Sequence, residues 1–105
     1  MGVTKTYVFT KEQNRTADLA KALAHPARIA IIQYLLIEKT CVCGDLVEAL
    51  PLAQATISQH LRELKEIGIL HGEINPPRVS YSIDEQVWQE AQAFFSELFN
   101  LSKPE

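Results

Sequence analysis

The residues of this chain that are best suited to chemistry lie at positions 52–68, in the stretch LAQATISQHLRELKEIG. Its apolar residues recur at helical spacing and predict one buried stripe on an α-helix: Ile57, Leu61, Leu64 and Ile67. The opposite side carries amides, hydroxyls and cations: Gln54, Thr56, Ser58, Gln59, Arg62 and Lys65. A helix that contacts base edges in a DNA major groove needs this combination, because amides and hydroxyls both donate and accept hydrogen bonds and cations pair with phosphates. An ordinary surface helix with a polar outer face is the alternative.

The residues on either side of this helix predict a helix-turn-helix. A short helix is expected at about 45–50, and Pro51 cannot continue it, so that a turn follows at 51–53. Gly68 provides the left-handed residue that ends the second helix. His60, on the second helix, is expected to contact a backbone phosphate or to pack at the turn.

Two short strands are predicted after this unit, at 69–74 and 78–83, with a turn at 75–77. In the second strand apolar and polar residues alternate, as they do in a strand with one buried face. Two strands in this position form a wing. Arg78, at the base of the wing, is expected to touch a phosphate or a minor groove, and an exposed loop arginine is an equally good interpretation.

Cys41 and Cys43 are the two cysteines of the sequence, and one residue separates them. They do not make a disulfide framework, and a bond across one residue would be strained. Three interpretations stay open: ligands of a thiophilic metal or metalloid, a redox pair that forms intersubunit or mixed disulfides, or small half-buried residues without a sensing role. A soft-metal site usually has three or four ligands, so further donors would have to come from a histidine or from a second subunit.

The rest of the chain is expected to form helices around this unit. Positions 10–13 fit a capping box, which predicts a first helix. Pro26 suits the first position of a second helix, with His25 as a structural residue at its entry and Arg28 as a solvated turn residue or a phosphate contact. Asp84 is expected to cap a last helix. The predicted organisation is a flexible arm at 1–9, a single domain at 10–101 and a tail at 102–105.

The last helix carries a broad apolar stripe that includes aromatic residues, and little chain is left to cover it. Exposed patches of this kind tend to be interfaces. The first helix offers small and apolar residues that allow close approach of a partner. We therefore predict that both helices form the seam of a homodimer, with a purely internal core as the alternative. The predicted seam residues are Leu19, Leu23, Trp88, Ala91, Phe95, Leu98 and Phe99.

Composition and charge limit the classes of protein to consider. The chain has 105 residues, of which 47% are hydrophobic and 22% charged, as in one globular domain. Its apolar runs are shorter than the roughly 20 residues that span a bilayer, and its start does not read as a signal peptide, so a cytoplasmic protein without membrane contact is expected. The formal net charge of −3 weighs against nucleic-acid binding. A winged-helix protein-interaction module without strong DNA binding is therefore the alternative function. An enzyme is not expected, since no nucleophile is paired with a base and no phosphate loop or metal triad is evident.

The predicted elements follow the order α-α-α-α-β-β-α, which is mainly α with a small β-hairpin and fits a winged helix-turn-helix. Three segments then resemble the ArsR/SmtB family of metal-responsive winged-helix repressors. ALAHPARIAIIQYL (22–35) resembles its second-helix entry, CVCGDLVEAL (41–50) its metal-site stretch, and QATISQHLRELKEIGIL (54–70) its recognition helix.

The resemblance implies a homodimer that is joined through the first and last helices. Its two recognition helices would enter successive major grooves of a palindromic DNA operator, about 34 Å apart. Such a protein represses transcription until an inducer releases it. If Cys41 and Cys43 have a sensing role, the inducer is a thiophilic metal or metalloid, or a redox signal, at these two residues.

The chain departs from the family pattern at three points. Gly44 stands between the thiols and Asp45, and one residue of slip on a helix is a rotation of about 100°. Ala53 stands where the family commonly has serine, so that the recognition helix lacks an N-cap worth about 1 kcal/mol. The family's alternative zinc site draws on a histidine of the last helix, and this helix has none, so that site is expected to be absent.

Overall fold

The computed structural model describes residues 8–101 of the chain. In this part of the chain, five helices and three short strands follow the order α-α-β-α-α-β-β-α. They are α1 (Lys11–Ala22), α2 (Pro26–Glu38), β1 (Cys41–Val42), α3 (Cys43–Ala49), α4 (Gln54–Ile67), β2 (Leu70–Asn75), β3 (Arg78–Ile83) and α5 (Glu85–Phe99). The predicted fold class, a mainly α winged helix-turn-helix, is confirmed. The predicted arm at 1–9, except its last two residues, and the tail at 102–105 lie outside the described residues.

Side-chain caps explain where the helices begin. Thr10 Oγ1 accepts a hydrogen bond from the Gln13 amide at 3.0 Å, and Gln13 Oε1 accepts one from the Thr10 amide at 2.9 Å, which completes the predicted capping box of α1. At the start of α5, Asp84 Oδ1 accepts from the Val87 amide at 3.1 Å. Ala53 holds the same position before α4, with φ −67° and ψ 150°, and has no side-chain acceptor. The recognition helix therefore begins uncapped, as the sequence predicts.

The sheet has one strand more than the sequence analysis predicts. Its order is β1-β3-β2, with β3 antiparallel to both neighbours, and Cys41 pairs with Tyr81. The predicted hairpin is present as β2 and β3, but the sequence analysis missed β1, because a two-residue strand is too short to show a period of two in the sequence. Helix α3 begins directly after β1, at Cys43, which is two positions before the predicted Asp45.

The strand register corrects the position of Arg78. Asn75 pairs with Arg78 beside the turn, whereas Leu70 pairs with Ile83 at the other end of the hairpin. Arg78 therefore lies at the tip of the wing. The sequence analysis expected it at the base, and this expectation is wrong. Ile83 is buried against the helices, and Arg78 is exposed.

The core lies where the helices meet the base of the wing. Its fully buried large side chains are Leu19, Ile31, Leu35, Leu46, Ile57, Leu61, Leu64 and Ile69. Three residues of the stripe predicted for α4 are among them, and Ile67 is half-buried. Within residues 8–101, no helix combines the length and the apolar content that a membrane crossing needs.

Two residues predicted for a dimer seam belong to this core. Leu19 is 0% exposed and Ala91 is 3% exposed, so neither can contact a second chain. The prediction is wrong for both, because helical periodicity marks an apolar face without showing how much of it the chain covers itself.

The outer part of the same face is open. Leu98 and Phe99 are 51% and 75% exposed, and a groove of about 550 Å³ lies between α1 and α5. Ala17 and Ala20 line its α1 side, and the α5 side is aromatic and apolar. Leu23, Trp88 and Phe95 are half-buried at its margin or against the core. That a second copy covers this groove stays a prediction.

The uncapped start of α4 leads to a prediction about stability. We expect Ala53→Ser to raise the free energy of unfolding by about 0.5–1 kcal/mol, since the backbone is already extended and the new hydroxyl can accept from the Thr56 amide. Urea titration followed by circular dichroism measures the change. Ala55→Ser, at the second residue inside the helix, is the matched control and should give no gain, since its hydroxyl is not at the cap position. An equal gain from both variants would contradict the capping explanation.

Candidate nucleic-acid interface

One face of α4 is free of contacts with the core and carries most of the predicted DNA-binding residues. Burial of the apolar stripe turns the opposite side chains outward. The exposed ones are Gln54, Thr56, Gln59, Arg62 and Lys65. Among the described residues, neither cation has an ion-pair partner. The structure thus presents donors, acceptors and two cations on one surface.

Glu63 follows Arg62 directly in the sequence but is not its ion-pair partner. It forms an ion pair with Arg28 of α2, on the side of α4 that faces the protein. The outward face is therefore more basic than the sequence indicates, although Glu66 is exposed beside Lys65.

Gln59 is held in place on this face. Its Nε2 donates to Glu63 Oε2 at 3.1 Å, one turn along the helix. The bond leaves the amide oxygen of Gln59 without a partner among the described residues and fixes the plane of the amide. A fixed amide is the kind of group that reads a base edge, because its donor and acceptor directions are set before contact.

Ser58 lies at the margin of the face and turns toward α3. Its hydroxyl is 3.4 Å from the Cys43 sulfur, and both side chains are half-buried. The contact joins the two helices of the helix-turn-helix. Ser58 is thus less available to DNA than its helical position suggests.

The cation at the end of α4 lies against the wing. The aliphatic part of the Lys65 side chain packs over Gly72 of β2. A Cβ atom added to Gly72 would lie only 3.3 Å from Lys65 Cε. The ammonium group lies between the recognition helix and the wing. Arg78 stands farther out, exposed at the tip of the wing. The recognition helix and the wing therefore each contribute exposed cations: Arg62 and Lys65 from α4, and Arg78 from the wing.

The structure corrects the expectation for His60. Its side chain is 8% exposed, and its Nδ1 accepts a hydrogen bond from Arg28 Nε at 3.0 Å. Burial, the Arg28 charge and His25 lower the pKa of His60. A buried neutral imidazole cannot pair with a phosphate, so His60 does not belong to the exposed DNA-binding set. The alternative interpretation, packing near the turn, is closer to its position.

Arg28 is also placed differently from the expectation. Besides its bonds to His60 and Glu63, its Nη1 donates to the Ala22 carbonyl at 3.2 Å. The side chain is 16% exposed and is not a solvated turn residue. No local signal could have shown this, because its side-chain partners lie far along the sequence.

The two thiols differ in position and in reactivity. Cys41 is 3% exposed in β1, and burial, followed by Asp45 and Cys43, raises its pKa to about 11. Cys43 is half-buried in the first turn of α3. Both are free thiols. The described residues contain no group of three or more histidine, cysteine or acidic side chains that could hold a metal ion. One described protomer therefore does not supply a complete soft-metal site at this pair.

Comparison with known proteins agrees with this geometry. Residues 25–72 match the family model described as bacterial regulatory protein, arsR family. The chain is 42% identical over 66 residues to the HTH-type transcriptional repressor SmtB of Mycobacterium tuberculosis, which covers 63% of this chain and 48% of that repressor. It is 30% identical over 69 residues to the HTH-type transcriptional regulator YgaV of Escherichia coli, which covers 66% of this chain and 70% of that regulator.

A solved structure extends the likeness to nearly the whole chain. HlyU from Vibrio cholerae N16961 is 28% identical and superposes with a TM-score of 0.70, over 89% of this chain and 97% of that one. The alignment with SmtB, by contrast, spans about half of that repressor.

The unequal thiols lead to a prediction about labelling. With a pKa of about 11, on the order of one Cys41 side chain in a thousand is a thiolate at about pH 8. We expect iodoacetamide to alkylate Cys43 first and to leave Cys41 unmodified in the folded protein, as read by mass spectrometry of peptides. Urea-unfolded protein is the control, in which both should react. Equal labelling of the two in the folded protein would show that Cys41 is not protected.

Proposed function

The chain belongs to the ArsR family of bacterial regulatory proteins, and from that premise we propose that it is a dimeric DNA-binding repressor of transcription that an inducer releases. The observation that carries the proposal is the exposed face of α4, where amides, a hydroxyl and unpaired cations stand together. The names of the relatives SmtB and YgaV, a repressor and a regulator of transcription, support it. Neither name describes an enzyme, and the proposal includes no catalysis.

In this proposal α4 enters the major groove with its N-terminal half. Gln54, Thr56 and Gln59 contact base edges, and Arg62 and Lys65 contact phosphates or guanine. Ser58 contributes a contact only at the margin of the face, since its hydroxyl is turned toward Cys43 and α3.

The wing supplies the second contact. Arg78 is exposed at its tip, and it would meet a phosphate or the adjacent minor groove. Lys65 lies between the recognition helix and the wing and would meet the backbone that runs between the two grooves. DNA binding of this kind also places the protein in the cytoplasm.

The dimer of this proposal forms through the open groove between α1 and α5. Leu98 and Phe99 expose large apolar surface there, which a second copy would bury. The dimer would present two copies of α4 to a palindromic operator, with centres about 34 Å apart. Leu23, Trp88 and Phe95 would contribute with the parts that the chain leaves uncovered.

The inducer would act at the thiols. Cys43 is the thiol that a reagent reaches first, and it touches Ser58 on the recognition helix. A thiophilic metal or metalloid at Cys41 and Cys43 would need donors beyond one described protomer, for example from a second one. A redox signal at the half-buried Cys43 thiol needs no such donors and fits the described residues better.

A protein-interaction module without strong DNA binding is the alternative function. The net charge of −3 favours it. The open apolar groove would then hold a different protein partner, and α4 would be an ordinary polar helix.

DNA binding is tested on the recognition face. We expect Arg62→Ala to weaken binding to the promoter duplex of its own operon by about tenfold and to reduce the salt dependence by about one counterion. Gln59→Ala should weaken binding to this duplex and leave the salt dependence unchanged, since it removes no charge. Fluorescence anisotropy at several salt concentrations measures both.

The matched control for charge is Lys11→Ala, which removes one cation at the exposed start of α1, outside the candidate interface. It should leave the affinity within about twofold. If wild type binds no upstream duplex at low salt, or if all three variants bind as wild type does, the alternative function is favoured.

The dimer is tested on the open groove. We expect Phe99→Glu to convert the protein to a monomer at micromolar concentration, because a carboxylate would be buried in the proposed apolar seam. Ile37→Glu on α2 is the matched control, since Ile37 and Phe99 are both 75% exposed. Analytical ultracentrifugation gives the mass in solution. A dimer with Phe99→Glu, or a monomeric wild type, would exclude this seam.

A further inference from the structure

Four polar side chains form a cluster on the inner side of the recognition helix. His25 and Arg28 come from the start of α2, and His60 and Glu63 come from the middle of α4. The two imidazole rings lie 4.5 Å apart, and Arg28 contacts both residues of α4. None of these side chains lies on the exposed face proposed to contact DNA. A polar cluster in this place needs a reason, since α2 and α4 are otherwise joined by apolar packing.

Arg28 is the centre of the cluster because its three donors reach three separate acceptors. Its Nε donates to His60 Nδ1 at 3.0 Å, its Nη1 donates to the Ala22 carbonyl at 3.2 Å, and its Nη2 pairs with the Glu63 carboxylate. The guanidinium group is planar, so these directions are fixed relative to one another. Together with the apolar packing, these bonds therefore hold α4 in one rotation against the end of α1 and the start of α2.

The cluster is connected to the outer face of α4. Glu63, paired with Arg28, also accepts a hydrogen bond from Gln59 Nε2 at 3.1 Å. Gln59 is exposed and is a candidate for base contact. A continuous chain of polar contacts thus runs from the Ala22 carbonyl, through Arg28 and Glu63, to an amide on the DNA-facing surface.

We propose that Arg28 is a positioning residue for DNA recognition, which aims the Gln59 amide through Glu63 and fixes the rotation of α4 through a neutral His60. This inference rests on the proposed DNA-binding function. In this inference Arg28 affects how well the protein discriminates between DNA sequences. It does not add to the general attraction to DNA, because the Arg28 charge is neutralised by Glu63 and lies on the inner side of α4. A small rotation of α4 misaligns contacts to bases more than contacts to phosphates.

The arrangement also makes recognition sensitive to acid. His60 Nδ1 can accept from Arg28 only while it carries no proton, and protonation would add a positive charge beside a guanidinium. The groups that face it are Arg28 and His25 from the start of α2, and Arg28 is itself paired with Glu63. Burial, Arg28 and His25 lower its pKa from 6.5. The contribution of a neutral His60 to stability is thus fully present above about pH 6.5 and is lost as the pH falls through the lower folded pKa.

The first test separates geometry from charge. The probe is a duplex that the wild-type protein selects from a random-sequence library, and the reference is a scrambled duplex of the same composition. Arg28→Lys keeps the charge but cannot reach three acceptors, so we expect about tenfold weaker binding to the selected duplex and less than about twofold change on the scrambled one. Glu63→Gln should reduce the ratio of the two affinities in the same direction. Urea unfolding of each variant shows whether it is folded under the conditions of binding.

The second test is the pH profile of that ratio. As the pH is lowered from about 7.5 through the lowered pKa of His60, the ratio should fall severalfold for wild type and stay constant for His60→Asn, whose amide oxygen takes the place of Nδ1 and does not titrate. His25→Asn is the matched control: it keeps an acceptor at the start of α2 and leaves the titrating His60 in place, so its ratio should still fall in acid.

The outcomes distinguish the two proposals. Wild type that binds neither duplex at neutral pH would overturn the proposed function and this inference with it. Wild type that binds, together with an unchanged ratio in Arg28→Lys, overturns the inference alone. The same holds if Arg28→Lys weakens both duplexes equally, or if His60→Asn keeps the acid-sensitive step of wild type.

Discussion

The burial of one apolar stripe on α4 is the interaction on which the rest of the structure depends. Ile57, Leu61 and Leu64 are fully excluded from solvent, and burying each contributes roughly 1.5–3 kcal/mol. This packing fixes which side of α4 faces outward. The exposed side chains have little part in the core, so their types are free to serve a ligand. The separation of the two faces explains how so small a domain can hold a polar helix firmly and still expose its outer face.

The sequence predicts those features that depend on neighbouring residues. The period of α4, the capping box at Thr10 and the cap at Asp84 follow from spacing and side-chain chemistry, and the structure has each of them. The register of the wing and the strand β1 depend on a partner that is distant in the chain. A two-residue strand carries no pattern of its own, so the pairing of Cys41 with Tyr81 could not be predicted.

The candidate site shows the same limit more sharply. Exposed residues of α4 were predictable, because the helical period assigns them to one face. His60 was not, since its burial depends on Arg28, which lies 32 positions earlier in the chain. The ion pair of Glu63 could not be predicted for a related reason: Glu63 is adjacent to Arg62 in sequence but pairs with Arg28 of α2. On the dimer face, Leu19 and Ala91 share a period with exposed residues, and only the packed fold separates inner from outer positions.

The short strand β1 also changes what the wing can do mechanically. β1 pairs with β3, and Val42 is followed directly by the first residue of α3. The sheet is therefore joined to the helix-turn-helix through both edge strands, by β1 before α3 and by β2 after α4. A hairpin held by one edge could swing like a hinge. Here the pairing of β1 with β3 adds a second connection between the wing and α3. The wing and the helix-turn-helix would therefore bind a surface as one rigid unit, and little conformational entropy would be lost on binding.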